Sequence, residues 1–241
     1  MGRLLRGVVW LVLGVVGVWV GAVLLLTLLY TVVPPVSTLM LGRWLTLRGV
    51  ERTAVSLDEI SPHLTRAVIS SEDGRFCQHG GVDWDALRQV IEEADDDGPS
   101  RGASTISMQL AKNLFLWPSR SYLRKGMEIP LAMLIDLAWS KRRLLENYLN
   151  IVELGDGVFG AEAAARRYFG KRARDLSASE AALLAAALPN PSLRNPGRPS
   201  ARYRGLARRL ERRMASAAAA TGCLTAAARP AGASQHGARP V

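Results

Sequence analysis

From Gly7 to Val33 the chain places 27 consecutive residues without a charge, most of them Val, Leu or Trp. At 1.5 Å per residue the run spans about 40 Å, more than the ~30 Å hydrocarbon core of a bilayer, which predicts a transmembrane helix with room for tilt. A cleaved signal peptide would carry an apolar region of roughly 7–15 residues ending at small side chains. The exit here reads VVPPVSTLMLGRW and offers no such site. Pro34-Pro35 ends the helix, because proline lacks the N–H that a continuing helix needs. The pattern turns apolar again from Thr38 to Leu47, with Arg43 as its one charged residue before Arg48. That stretch is too short to span a membrane. Two readings stand for it: packing on the protein core, or a segment lying in the membrane interface.

Beyond Ser61 the apolar positions recur at helical spacing almost throughout. Ser61-Pro62 fits an N-cap followed by proline at the first helical position. Arg124 to Trp139 and Lys141 to Ile151 carry apolar residues three and four apart, and Ser177-Ala178-Ser179-Glu180 forms a capping box before an alanine-rich helix that Pro189 terminates. Asp95 to Pro99 reads as a loop. No run alternates long enough for a half-buried strand, so the fold class is mainly α. The expected organisation is a stub at 1–6, an anchor at 7–33, a membrane-proximal jaw or linker at 34–60, a catalytic domain at 61–213 and a disordered tail at 214–241.

Charge narrows the partners. Lys and Arg number 31 against 21 acids, a net charge of +10, which favours an anionic partner such as a headgroup, a nucleic acid or a phosphorylated substrate. Eight arginines between Arg194 and Arg213 face one acid, Glu211, and read as a solvated helix face or one leaning on anionic headgroups. Two cysteines, Cys77 and Cys223, exclude a disulfide framework or a Cys-rich zinc module, and Cys223 in the expected tail has no evident role. Three scattered histidines do not make a metal site.

The densest polar cluster is SSEDGRFCQHGGVDWDAL, Ser70 to Leu87. Glu72 and Asp73 point in different directions on a helix, so only one of them faces a given cleft. A carboxylate at a helix lip beside an aromatic can have its pKa raised and act as a general base; the alternative is a solvated helix end followed by a tight turn. The second cluster runs from Arg101 to Lys125. Gly102 with Ser104-Thr105 offers an anion site at a helix start, and Lys112, Arg120, Arg124 and Lys125 follow with no acid between Asp97 and Glu128. Ser104 has no nearby histidine to make it a nucleophile. Glu128 stands four residues after Arg124, the spacing of a helical salt bridge. Lys141, Glu146, Tyr148 and Asn150 form a third polar group, and Gly155 to Gly160 weakly resembles a phosphate loop.

EDGRFCQHGG, GASTISMQLAKN, RKGMEIPLAMLIDLAWSKRRLLENYLN and GVFGAEAAARRYFGK occur in this order over about two thirds of the chain. Together they resemble the ordered motifs of the family-51 glycosyltransferases, the peptidoglycan polymerases of the bacterial envelope. The resemblance implies a lysozyme-like helical domain with a small membrane-associated jaw. With no second domain after Met214, a monofunctional member is expected. The implied substrate is lipid II, joined to a growing glycan chain at the outer face of the inner membrane, with Arg3 and Arg6 cytoplasmic. Glu72 matches the catalytic base and Glu128 the second acidic residue. Asp73, Phe76 and His79 match the first motif, and Ser104, Thr105, Gln109, Lys112 and Asn113 match the second. Lys112 and Arg120 would neutralise the departing diphosphate, and Arg124 and Lys125 of the same cation cluster are further substrate-binding candidates. Met108 and Met127 depart from the pattern, where many relatives carry glutamine and lysine. No cofactor is obligatory, although the scheme admits a divalent cation (Mg or Mn) at the diphosphate. It also admits membrane lipids and cell-wall synthesis or division proteins as partners, but no nucleic acid. The competing readings are a lytic, lysozyme-like glycan-cleaving enzyme, which needs a protonating acid instead of a cationic diphosphate site, and a non-enzymatic membrane scaffold.

Overall fold

The computed structural model describes residues 2–93, 102–119, 121–216 and 221–225. It is mainly α-helical. The helices run α1 (Gly2–Leu29), α2 (Thr38–Leu45), α3 (Pro62–Glu72), α4 (Trp84–Glu92), α5 (Ile106–Phe115) and α6 (Tyr122–Ala138). They continue with α7 (Lys141–Ile151), α8 (Ala161–Phe169), α9 (Ala178–Ala187), α10 (Ala201–Ser216) and α11 (Gly222–Thr225). A small sheet of β1 (Glu51–Arg52), β2 (Glu153–Gly155) and β3 (Val158–Phe159) has the order β1-β3-β2, with β1 parallel and β2 antiparallel to β3.

The apolar helix α1 is long and hydrophobic enough to cross a membrane, and most of it is exposed, as a lipid-facing anchor requires. It ends at Leu29, four residues short of the uncharged run, and its final carbonyls would be orphaned in an apolar setting. The protein supplies donors for them. Trp139 Nε1 donates to the Thr27 carbonyl at 2.8 Å, while Arg143 Nε and Asn147 Nδ2 both donate to that of Tyr30. Arg143 Nη2 reaches the Val33 carbonyl at 2.8 Å. Val23 and Tyr30 are buried, and Trp19, Val23 and Leu24 border an apolar cleft of about 250 Å³ against Met127, Pro130 and Leu131 of α6. Met127, the departure from the family pattern, thus meets the anchor.

Helix α2 starts at Ser37, whose hydroxyl accepts from Met40 N, and Thr38 Oγ1 donates to the Leu116 carbonyl at 2.7 Å. The segment divides by residue. Met40 is fully buried in the core, whereas Leu41 and Trp44 are 47% exposed, Leu45 86% and Leu47 96%. Four large apolar side chains on one short helix and its exit suit a lipid interface.

The loop from Gly155 to Gly160 is a hairpin turn and no phosphate cradle. Arg43 Nη1 binds Asp156 Oδ1 at 2.7 Å across it. Gly157 takes φ +74°, and a Cβ there would lie 2.6 Å from Arg43 Nη2. The third polar group of the sequence disperses around α7: Glu146 accepts from Leu57 N, Asn150 bonds Val55 at both N and O, and Tyr148 turns inward.

Behind these elements α3 packs on α9, and α9 on α10. Alanines at 181, 182, 185, 186 and 187 let the helices approach closely. Cys77 and Cys223 form a disulfide across 146 residues, which corrects the expectation of an idle cysteine in a disordered tail. Residues 222–225 form α11, held near α7; 217–220 and 226–241 lie outside the described residues, as does the Asp95–Pro99 segment. A spacing of 146 carries no local signal, which is why the pairing is invisible in sequence.

Closing so long a loop restricts the unfolded chain strongly, so Cys223→Ser should cost about 2–5 kcal/mol, read as a lowered thermal midpoint that reductant reproduces in the native chain. In protein trimmed of residues 1–20, Leu45→Glu should weaken liposome association and leave the midpoint unchanged, because the side chain stands clear of the core. A lowered midpoint with normal liposome binding would assign Leu45 to the core instead.

Candidate active site

The site is built where α3 ends and α5 begins. Ser61 caps α3 by accepting from His63 N, Pro62 opens it, and Leu64, Ala67 and Val68 face inward. The helix stops because Asp73 leaves helical geometry at φ −160° and ψ 72°. Its carboxylate turns to the start of α5, accepting from Ile106 N at 2.9 Å and from His79 Nε2 at 2.9 Å. A carboxylate at a helix N-terminus is favoured by the exposed N–H groups and the helix dipole. Thr105 is the cap residue there; its hydroxyl accepts from Met108 N and donates to the Gly81 carbonyl at 2.6 Å. Gly81 sits at φ +86°, and a Cβ would come within 2.7 Å of the Ala132 carbonyl, so only glycine lets this loop pass so close to α6. Phe76 is fully buried with Lys141 Nζ 4.8 Å from its ring centre, and Lys141 also binds Asp136 and the His79 carbonyl. Asp73, Phe76, His79 and Thr105 therefore contact the protein itself and support the site from beneath.

Glu72 points the other way, as the helix periodicity anticipated. Its Oε2 accepts from Gln109 Nε2 at 3.0 Å, and Gln109 Oε1 accepts from the Tyr148 hydroxyl at 2.9 Å. Tyr148 is fully buried, so its phenol stays protonated well above the ordinary range and fixes which end of the Gln109 amide faces Glu72. Burial is the largest influence on Glu72 and raises its carboxyl above the usual glutamate value; hydrogen bonds from Gln109 and Ser71 oppose it, Asp73 adds to it and Lys112 opposes it. Sequence reasoning placed Tyr148 in a polar group without a role. The available signal was a hydroxyl at an apolar position of α7, which must find a partner once buried.

The cations gather one turn further along. The side chain of Lys112, half-buried on α5, makes no hydrogen bond or ion pair among the described residues. Burial pulls its ammonium below the ordinary lysine value, with Glu128 opposing and Arg124 and Lys125 adding to the shift. Glu128 is 2% exposed and grips Arg124 through one oxygen and Lys125 Nζ, at 2.7 Å, through the other. The helical salt bridge anticipated from the spacing is thus present, as half of a double clamp. Lys125 Nζ also contacts Ser104 Oγ at 2.5 Å. Lys112, Asn113, Ser119 and Arg124 line a cavity of about 380 Å³ that Thr38 and Leu39 close from the jaw side. Arg120 lies outside the described residues. Met108 is core.

The arrangement joins a proton acceptor of raised basicity to an electropositive cavity. It can deprotonate a neutral nucleophile and hold an anionic leaving group. Among the described residues no three His, Cys, Asp or Glu side chains converge on a metal position. Both oxygens of Glu128 are taken by cations, so the residues present do not fit a resident divalent ion on that carboxylate.

Residues 40–216 match the family model described as Transglycosylase. The chain is 56% identical over 176 residues to a biosynthetic peptidoglycan transglycosylase of Brucella suis, covering 73% of this chain and 79% of that protein. It is 59% identical over 167 residues to a protein of the same name from Rhodospirillum centenum, covering 69% and 72%. Against one from Rhizobium meliloti the identity is 53% over 190 residues, covering 79% and 80%.

Two titrations test the Glu72 environment. Gln109→Leu removes a donor that favours the ionised carboxyl, so the Glu72 midpoint followed by carbon NMR should move further up. A raised folded-state pKa contributes stability that is complete below the unfolded value of about 4.3 and is lost as pH rises through the folded value. Glu72→Gln should therefore match the native chain in thermal midpoint at low pH and exceed it at neutral pH. A constant gap across that range would show that burial does not burden the ionised form.

Proposed function

Because this chain belongs to the transglycosylase family and acts as a peptidoglycan transglycosylase, we propose that it polymerises lipid II into β-1,4 glycan with Glu72 as the general base. In this reading Glu72 accepts the proton of the acceptor sugar's 4-hydroxyl as that oxygen attacks the anomeric carbon of the lipid-linked chain. The carbon–oxygen bond to the diphosphate breaks, and undecaprenyl diphosphate leaves with the electron pair. A single displacement converts an α-linked donor to a β-linked product. A sugar hydroxyl is neutral at pH 7, so a positioned base contributes roughly 10²–10⁴-fold. The leaving group is already anionic, which removes any need for an acid and makes fixed cations the useful partners.

The observation that carries the reading is Lys112. A half-buried ammonium with no hydrogen bond or ion pair among the described residues, on the helix that also carries Gln109 and beside Arg124, suits a charge brought by the substrate. A lysozyme-like hydrolase would gain nothing from it. Glu128 acts here by holding Arg124 and Lys125 in place, and Arg120 adds a further charge. We propose that these cations handle the diphosphate without a resident metal. The anchor and the apolar α2 keep the site at the membrane surface, where a lipid-linked substrate diffuses. A disulfide persists in an oxidising compartment, which supports a periplasmic catalytic domain with Arg3 and Arg6 in the cytoplasm.

Purified full-length protein given labelled lipid II should form polymer, and Glu72→Gln should lower that rate by at least about 10²-fold with the fold intact. Near-normal turnover of the folded variant would overturn the assignment. Lys112→Ala should reduce both lipid II binding and rate, whereas unchanged values would return this lysine to the surface. Glu128→Gln separates support from contact: a fall in activity that tracks disorder of the two cations, without a shift of the acid limb set by Glu72, is the expected result.

A further inference from the structure

The arginine-rich helix α10 takes no part in the chemistry above. Its apolar residues Tyr203, Ala207, Leu210 and Met214 recur four, three and four apart and are buried on α9 and α3. The remaining face carries Arg202, Arg204, Arg208, Arg209, Arg212 and Arg213, all exposed, and the helix has one acid, Glu211. Arg202, Arg208, Arg209 and Arg212 make no hydrogen bond or ion pair among the described residues. Helical geometry aligns Arg202, Arg209 and Arg213, at spacings of seven and four, in one row about 16 Å long.

That row ends on α3, the helix whose last residue is Glu72. Arg213 Nη2 donates to the carbonyl of Ser70, two residues before Glu72 in the same helix. The segment after α10 is tied to the same place, because the Cys77–Cys223 disulfide joins α11 to the loop that follows Asp73. The anchor lies elsewhere: α1 packs on α6, whereas α10 packs chiefly on α9 and α3. The arginine face is thus carried by a helix seated on α9 and α3 and not on α6, the helix against which α1 packs.

We propose that the exposed arginine face of α10 is a binding track for the nascent product, a glycan strand whose stem peptides carry carboxylates. This rests on the lipid II reading of Glu72. Each added disaccharide brings a peptide with at least its terminal carboxylate, so the strand becomes a flexible polyanion as it lengthens. A row of guanidinium groups that starts on the helix carrying the base holds such a polymer by charge-assisted hydrogen bonds to carboxylates, with no demand on sugar identity. Retention then grows with the number of peptides bound at once.

The test compares the full chain in detergent with R202E/R208E/R209E/R212E, using soluble labelled glycan strands that carry their peptides and the same strands stripped of them. The native chain should bind peptide-bearing strands in a salt-sensitive way, and the variant at least about tenfold more weakly. Stripped strands should bind both proteins alike. Given lipid II, the variant should couple the first units at the native rate and release shorter polymer. Should the fourfold variant lose its fold by circular dichroism, the pair R202Q/R209Q takes its place. Equal affinity of native and variant proteins for peptide-bearing strands would overturn the proposal. So would intact glycan binding with lost adsorption to phosphatidylglycerol vesicles, which would make α10 a membrane-facing surface. Failure of the native chain to polymerise lipid II overturns the functional reading separately, since strand binding is measured without turnover.

Discussion

Asp73 is the joint on which the molecule's chemistry turns. One buried carboxylate ends α3, accepts the first N–H of α5 and holds His79, so two helices distant in sequence are fixed end to start. Removing it would orphan a buried amide and an imidazole together, a cost beyond that of any one hydrogen bond. The consequence reaches the neighbouring residue. With Asp73 committed to α5, Glu72 has a single direction left, toward the face of α5 that carries Gln109 and Lys112. The loop behind it is held just as tightly, by Gly81 against α6 and by Lys141 over Phe76. The base proposed here would gain from such support, because a small displacement of a catalytic group costs much of its effect.

Within this frame two carboxylates have been given opposite environments. Glu72 is half-buried beside an amide and a serine, with no cation in hydrogen-bond contact among the described residues, and its basicity rises. Glu128 is buried more deeply but holds a guanidinium and an ammonium directly, and it organises them. The first suits proton transfer and the second suits positioning. Lys112 lies between the two and feels both. The long apolar helix imposes the remaining constraint. Carbonyls at the end of α1 and in the residues just after it find donors in Trp139, Arg143 and Asn147, which attaches α1 to the region of α6 and α7, while the start of α2 lines the cation cavity.

What the sequence determined alone was whatever acts over a few residues: the anchor from its uncharged length, α3 and α9 from their caps, the Arg124–Glu128 pair from its spacing, and the opposed directions of Glu72 and Asp73. The motifs added the family, because their order and spacing survive in the chain itself. Tertiary structure decided everything that depends on how helices cross. Tyr148 meets Gln109 across 39 residues, Cys77 meets Cys223 across 146, Arg43 closes the turn at Asp156, and Met127 faces the anchor. The Gly155–Gly160 run was misleading for the same reason, since Gly157 lets Arg43 approach the hairpin while Gly155 and Gly160 lie against Tyr168 and Asn150. Periodicity and capping are read out within a turn or two of backbone. A contact between distant segments is set by packing of whole faces, and no spacing along the chain records it.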